Sequence, residues 1–205
     1  MKKIKVFTLL LAATLAVSAL TAYGYGKMIG AGKTISAGKK IVRSDASFVS
    51  LSKNELVNLA TVIVSGEVVS SEVQDDLVGL PATDYIIRVD KVFRGNPGAE
   101  VEVRTDGGEN AKMIYDPGEG YVTFQIGEKV VLFLTDDKGD RTDKDDFGYS
   151  VLGVQGKFKE EDGKLKSRDY TFDVATFEQE LDQIEKDNKA KGLKKLKVEP
   201  GDAGI

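Results

Sequence analysis

Lys129-Val130-Val131-Leu132-Phe133-Leu134 (KVVLFL) is an unbroken apolar run behind one lysine, and its reading decides the fold. A strand with no polar alternation is buried on both faces, so apolar material is expected on either side of it. Upstream, Thr61–Ser71 carries Val62, Val64, Val68 and Val69, a β-branched strand with Gly66 as a bulge or sharp bend. Thr83–Phe93 alternates Tyr85, Ile87 and Val89 with Ile86, Arg88 and Asp90, which turns one apolar face inward. Arg94-Gly95-Asn96-Pro97-Gly98 breaks the chain, and Glu100–Thr105 is a third strand with Val101 and Val103 on one side and charges on the other. Beyond the central run, Tyr149–Val154 supplies another strand, and Lys157–Lys166 reads as a hairpin turning at Asp162-Gly163, a dipeptide that favours a type I′ turn.

The segments between these strands are less regular. Asp106–Gly127 is rich in glycine and aromatics, with Tyr121–Phe124 as a short extra strand. Ser52-Lys53-Asn54-Glu55 is a capping-box pattern, so a short helix carrying Leu56, Leu59 and Ala60 should start at Ser52. Asp173 can cap a final helix bearing Val174, Phe177, Leu181 and Ile184 and ending near Gly192. The apolar stripe of that helix should dock on the β domain.

Four stretches together form a recognisable pattern: Asn58–Val68, Tyr85 through Val89 to Gly95, Val101-Glu102-Val103-Arg104-Thr105, and Gly127–Leu134. The pattern resembles the OB-fold barrel of netrin-like domains, the group that includes tissue inhibitors of metalloproteinases. The resemblance covers roughly Glu55–Phe158 and implies a mainly β chain: an OB-like five-stranded Greek-key barrel with a short N-terminal helix and a C-terminal amphipathic helix. In the inhibitors an amino-terminal cysteine chelates the protease zinc; this chain has no cysteine, so no inhibitory residue carries over. The expected layout is a signal segment at 1–26, a flexible glycine- and lysine-rich linker at 27–43, the barrel at 44–170, the helix at 171–192 and a disordered tail at 193–205.

Met1–Gly26 begins with Lys2, Lys3 and Lys5, continues with the uncharged apolar run Val6–Ala22, and ends in small residues. That is the layout of a secretory signal, with Val17-Ser18-Ala19 and Ala22-Tyr23-Gly24 as cleavage sites and an uncleaved membrane anchor as the alternative. The expected location is secreted or extracytoplasmic. Without the three signal lysines, 26 basic residues face 33 acidic ones, a balance that disfavours nucleic acid as a partner. The absence of cysteine and histidine removes thiol nucleophiles, cysteine zinc sites, and the commonest general base and transition-metal ligand.

The remaining chemistry is sparse. Asp136, Asp137, Asp140, Asp143, Asp145 and Asp146 crowd one segment, and carboxylate oxygens at close spacing suit a weak calcium site, although Lys138, Arg141 and Lys144 interrupt them and EF-hand spacing is missing. No other cofactor is expected. Gly30-Ala31-Gly32-Lys33-Thr34 approaches a phosphate-binding loop, but Lys27 stands where its first glycine belongs. Ser36-Ala37-Gly38-Lys39 and Ser50-Leu51-Ser52-Lys53 match Ser-x-x-Lys without a catalytic setting. Tyr115 and Tyr121 are the candidate partner-binding residues, from a set with Tyr85, Phe124 and Tyr149 that serves either a binding face or the core. Lys189, Lys191, Lys194, Lys195 and Lys197 could touch an anionic wall polymer or simply close a solvated helix end. The expected role is a noncatalytic binding or interaction module of the envelope or secreted fraction, whose partner is an extracytoplasmic protein or wall polymer. A netrin-like protease inhibitor and a carboxylate or Ser-Lys hydrolase are the alternatives.

Overall fold

β-Branched and aromatic residues at alternate positions set the strands, and tight turns separate them. The structure, a computed structural model, describes residues 38–44, 50–76, 78–118, 120–137 and 148–193. Along the chain lie β1 (Lys40–Arg43), α1 (Lys53–Leu59), β2 (Val62–Asp75), β3 (Pro81–Arg94), β4 (Glu100–Asp106), β5 (Gly108–Glu109), β6 (Met113–Asp116) and β7 (Lys129–Asp137). They are followed by β8 (Gly148–Val151), β9 (Lys157–Glu161), β10 (Lys164–Lys166), β11 (Thr171–Asp173) and α2 (Phe177–Ala190). Among the described residues no helix is long and apolar enough to cross a membrane.

Five strands close a barrel. β2 pairs with β3, β3 with β4, β4 with β8, β8 with β7 and β7 with β2, all antiparallel except the parallel pair β4 and β8. Antiparallel β9, β10 and β11 extend the sheet outward from β7. β1, β6 and β5 make a small separate sheet in which β1 runs parallel to β6. The register of β2 on β3 shifts between Ser65 and Gly66, and a Cβ on Gly66 would stand 2.3 Å from the Arg88 carbonyl oxygen. No side chain fits that approach, so the bend depends on glycine.

The central apolar run divides two cores. Val130, Leu132 and Leu134 join Val64, Tyr85, Ile87 and Val103 inside the barrel. Val131 and Phe133 join Leu56, Ile63, Phe158, Phe172 and Phe177 in a second core outside it. Three rings surround Phe133, with centroids 5.2 Å away for Phe158, 6.0 Å for Phe172 and 6.3 Å for Phe177. Burial on both faces is therefore what removed polar alternation from the sequence.

Both helices cover the second core and hold each other. Ser52 and Glu55 form the capping box, each side chain accepting the other's main-chain N–H. At the other end of α1 the Arg94 guanidinium donates to the carbonyls of Val57 and Ala60 and pairs with Glu185 of α2. A cation suits the negative end of a helix. Asn54 Nδ2 donates to Asn188 Oδ1 at 2.9 Å, and Asn188 Nδ2 returns a bond to the Asn54 carbonyl at 2.9 Å. Buried Gln155 clamps the main chain of Leu51, accepting its N–H and donating to its carbonyl, both at 3.2 Å.

Four carboxyl groups, three at or near these helices and Glu128 just before β7, titrate below their ordinary range. The Ser52 side chain and N–H lower Glu55, and Lys164 followed by the Ala175 N–H lowers Asp173. Burial by itself raises Glu128 and Glu180, but hydrogen bonds from Lys157 and Lys159 to the first, and from Thr176, the Asp173 N–H and Lys53 to the second, outweigh it. A folded pKa below the unfolded one gives stability that is complete above the unfolded value and is lost as pH falls through the folded value. The Tm is expected to hold down to about pH 5 and to drop by ~5 °C or more by about pH 2.5. Scanning calorimetry checks this, and a flat Tm across that interval would contradict it.

Several sequence expectations need correction. Tyr121–Phe124 is not a strand: it belongs to a strap whose Val122 and Phe124 plug the barrel, Phe124 lying edge-on to Tyr85 at 4.9 Å. Its alternating apolar residues mark an inward face, not a ladder. The flexible linker does not extend through residue 43, because Lys40–Arg43 pairs with Met113–Asp116. Asp173 caps a short 3-10 turn at Val174–Thr176, and α2 begins only at Phe177. The signal segment at 1–26, the linker up to residue 37 and the tail from residue 194 lie outside the described residues.

Candidate functional site

The second core covers one side of the barrel, and the outer face of β2, β3 and β4 forms another wall. Register fixes its composition. Glu67 stands opposite Arg88, and Arg88 opposite Glu100; Ser70, Ile86 and Glu102 form the next row; Glu72, Asp84 and Arg104 form the third. Ser150 of β8 lies beside Arg104. Five carboxylates thus meet two guanidiniums on three rows.

Both guanidiniums are engaged within the sheet. Arg104 Nε and Nη2 donate to Asp84 Oδ1 and Oδ2, each at 2.6 Å, with the side chains only 7% and 5% exposed. Arg88 Nη2 meets Glu67 Oε2 at 2.7 Å. The Arg104–Asp84 pair is bidentate and the Arg88–Glu67 pair a single contact, and with five carboxylates to two guanidiniums the three rows carry a net negative charge. Beside the buried pair a groove of about 350 Å³ is lined by Ser70, Ser71, Glu72, Gln74, Asp84, Ile86 and Glu102. The three rows carry no aromatic ring. A face that binds single-stranded nucleic acid combines net positive charge with rings on which bases stack; these rows have more acid than base and no ring.

The aromatic candidates lie elsewhere. Tyr85, Phe124 and Tyr149 turn into the barrel. Tyr115 of β6 is buried, with its hydroxyl 3.2 Å from Ser44 Oγ just beyond β1. Half-buried Tyr121 joins the same cluster: burial raises its phenol, a hydrogen bond with Ser44 opposes that, and nearby Tyr115 and Asp106 add to the rise. The structure therefore brings Tyr115 and Tyr121 together around Ser44, where they steady the end of β1.

Of the acidic segment, Asp136 is exposed near the end of β7 and accepts a hydrogen bond from Thr61 Oγ1 at 3.2 Å, while Asp137 is the last residue of that strand. Asp140, Asp143, Asp145 and Asp146 lie outside the described residues. Among the described residues no group of three or more acidic side chains is placed to hold a metal ion. In the second Ser-x-x-Lys match, Ser50 Oγ receives Gln155 Nε2 at 3.2 Å, and Lys53 Nζ donates to the Thr171 carbonyl at 3.1 Å and sits 3.7 Å over the Phe172 ring. Ser36 of the first match lies outside the described residues.

The wall of β2, β3 and β4 escaped the sequence reading as a site. Its signal was present in the charged alternate positions of the second and third strands, but cross-strand register was needed to place Asp84 against Arg104. Compared with known proteins, the chain matches no family model, no curated protein and no solved structure at a significant level, and the netrin-like resemblance gains no support there.

Proposed function

We propose that this chain is an exported, noncatalytic interaction module of the envelope or secreted fraction, built on an OB-type Greek-key barrel, with the outer wall of β2, β3 and β4 as its partner-binding face. The strand order β7-β2-β3-β4-β8 with closure from β8 to β7, and the parallel pair β4 and β8, support the OB reading. The observation that carries the function is that wall itself: a negative, ring-free surface beside a polar groove, on the strands with which OB barrels meet ligands. Its charge favours an extracytoplasmic protein or a cationic wall polymer and disfavours nucleic acid. The export signal read at Met1–Gly26 supports the location.

A photoreactive residue placed at Glu102, and as a control at exposed Glu160 on β9, tests the reading in the cells that make the protein. The expected result is an adduct with one extracytoplasmic partner from position 102 only, abolished by Glu72→Lys with Glu100→Lys. Equal adducts from both positions, or tight binding of a single-stranded oligonucleotide to the purified protein, would overturn it.

A further inference from the structure

β1 offers a main-chain edge that the barrel does not use. The Lys40 N–H reaches the Lys112 carbonyl at 3.2 Å and the Ser44 N–H reaches the Asp116 carbonyl at 3.3 Å. Alternation along a parallel ladder then turns the N–H and C=O of Ile41 and Arg43 away from β6. Among the described residues no strand pairs with that edge; the Ile41 residue is 48% exposed and the Arg43 side chain 72%. The small sheet order β1-β6-β5 leaves β1 terminal. The sheet is fixed to the barrel hairpin, since the Gly107 N–H donates to the Pro81 carbonyl at 3.0 Å and Thr83 Oγ1 to the Gly107 carbonyl at 2.6 Å.

We propose that the outer edge of β1 accepts an extended, acidic segment of a partner protein by strand addition. Main-chain groups of Ile41 and Arg43 supply the ladder, and Lys40 and Arg43 flank it with positive charge. The pair between Arg43 and Asp116, at 3.6 Å and exposed, is weak enough for an incoming carboxylate to compete for the guanidinium. A second copy of this chain is a poor occupant, because antiparallel pairing of the two outer edges gathers Lys40 and Arg43 of both copies, four cations, along one short ladder. A strand with an apolar centre and acidic flanks meets exposed Ile41 and both cations at once. Tyr115 and Tyr121, through Ser44, are positioning residues for this edge.

The test uses the full chain and two fluorescein-labelled peptides, one with a Val-Thr-Val centre flanked by glutamates and one with the same centre flanked by lysines. Fluorescence anisotropy should show the glutamate peptide binding at least about tenfold more tightly, the advantage shrinking with salt. Ile41→Pro removes an outward N–H and none that faces β6, so it should weaken the peptide by about tenfold while the Tm stays put. Lys40→Glu with Arg43→Glu keeps the main chain intact and should reverse the preference between peptides. Binding that survives Ile41→Pro, a preference that the double variant leaves unchanged, or no binding of either peptide would overturn the proposal. Loss of binding in Glu102→Lys instead would move the peptide to the β2, β3 and β4 wall and likewise overturn it.

Discussion

Phe133→Ala should destabilise the protein by about 3–5 kcal/mol, the range for removing a fully buried aromatic from a packed core. Phe133 is completely buried and its ring meets three others, from β9, β11 and α2. The lost ring leaves a cavity that those neighbours cannot close together, because each is held by a different element. The damage should also cross the sheet: β7 carries Leu132 and Leu134 into the barrel from the adjacent positions. Urea unfolding measures the effect as a lower midpoint with an unchanged slope. A loss under about 1 kcal/mol would mean that the second core packs without bearing on the barrel.

Arg104→Met should cost a similar amount, about 3–5 kcal/mol, because it removes the bidentate cation from the Asp84 carboxylate in a site only 5% exposed. With Asp84→Leu added, the double variant should return to within about 1 kcal/mol of the starting protein, since a well-packed apolar pair replaces a buried ion pair at little net cost. A double-mutant cycle in urea reads the coupling directly. If the double variant stays as unstable as Arg104→Met alone, the pair is a structural requirement. If it recovers, the pair acts on the surface potential of the proposed binding wall, and partner adducts at Glu102 should then change although stability does not.

The barrel was legible because its strands carry their own signals. Val62, Val64 and Val68, then Tyr85 and Ile87, then Val101 and Val103 all alternate, and all face the barrel interior. The run from Val130 to Leu134 lacks alternation because it serves two cores at once. The turn at Asp162-Gly163 has positive φ at both residues, 52° and 72°, as its sequence required. β1, β5, β6 and β11 were illegible for a common reason. Each is two to four residues long, too short for a period to register, and each depends on a partner whose identity only the folded chain supplies. The Tyr121–Phe124 strap was misread because a plug and a strand share the same alternation. The candidate wall was half legible: its charged positions could be read, but their pairing across β2, β3 and β4 could not.

The mutual grip of Asn54 and Asn188, 134 positions apart, places a demand on the order of folding. The second core rests on α1 near the beginning of the described chain and on α2 near its end, so a chain still being synthesised can shelter neither Leu56 nor Phe133 until Phe177 and Leu181 have emerged. Contacts of such long range make folding slow relative to locally paired domains. During that wait the aromatic faces of β7 and β9 stand open, which exposes the unfinished chain to aggregation until α2 has been made.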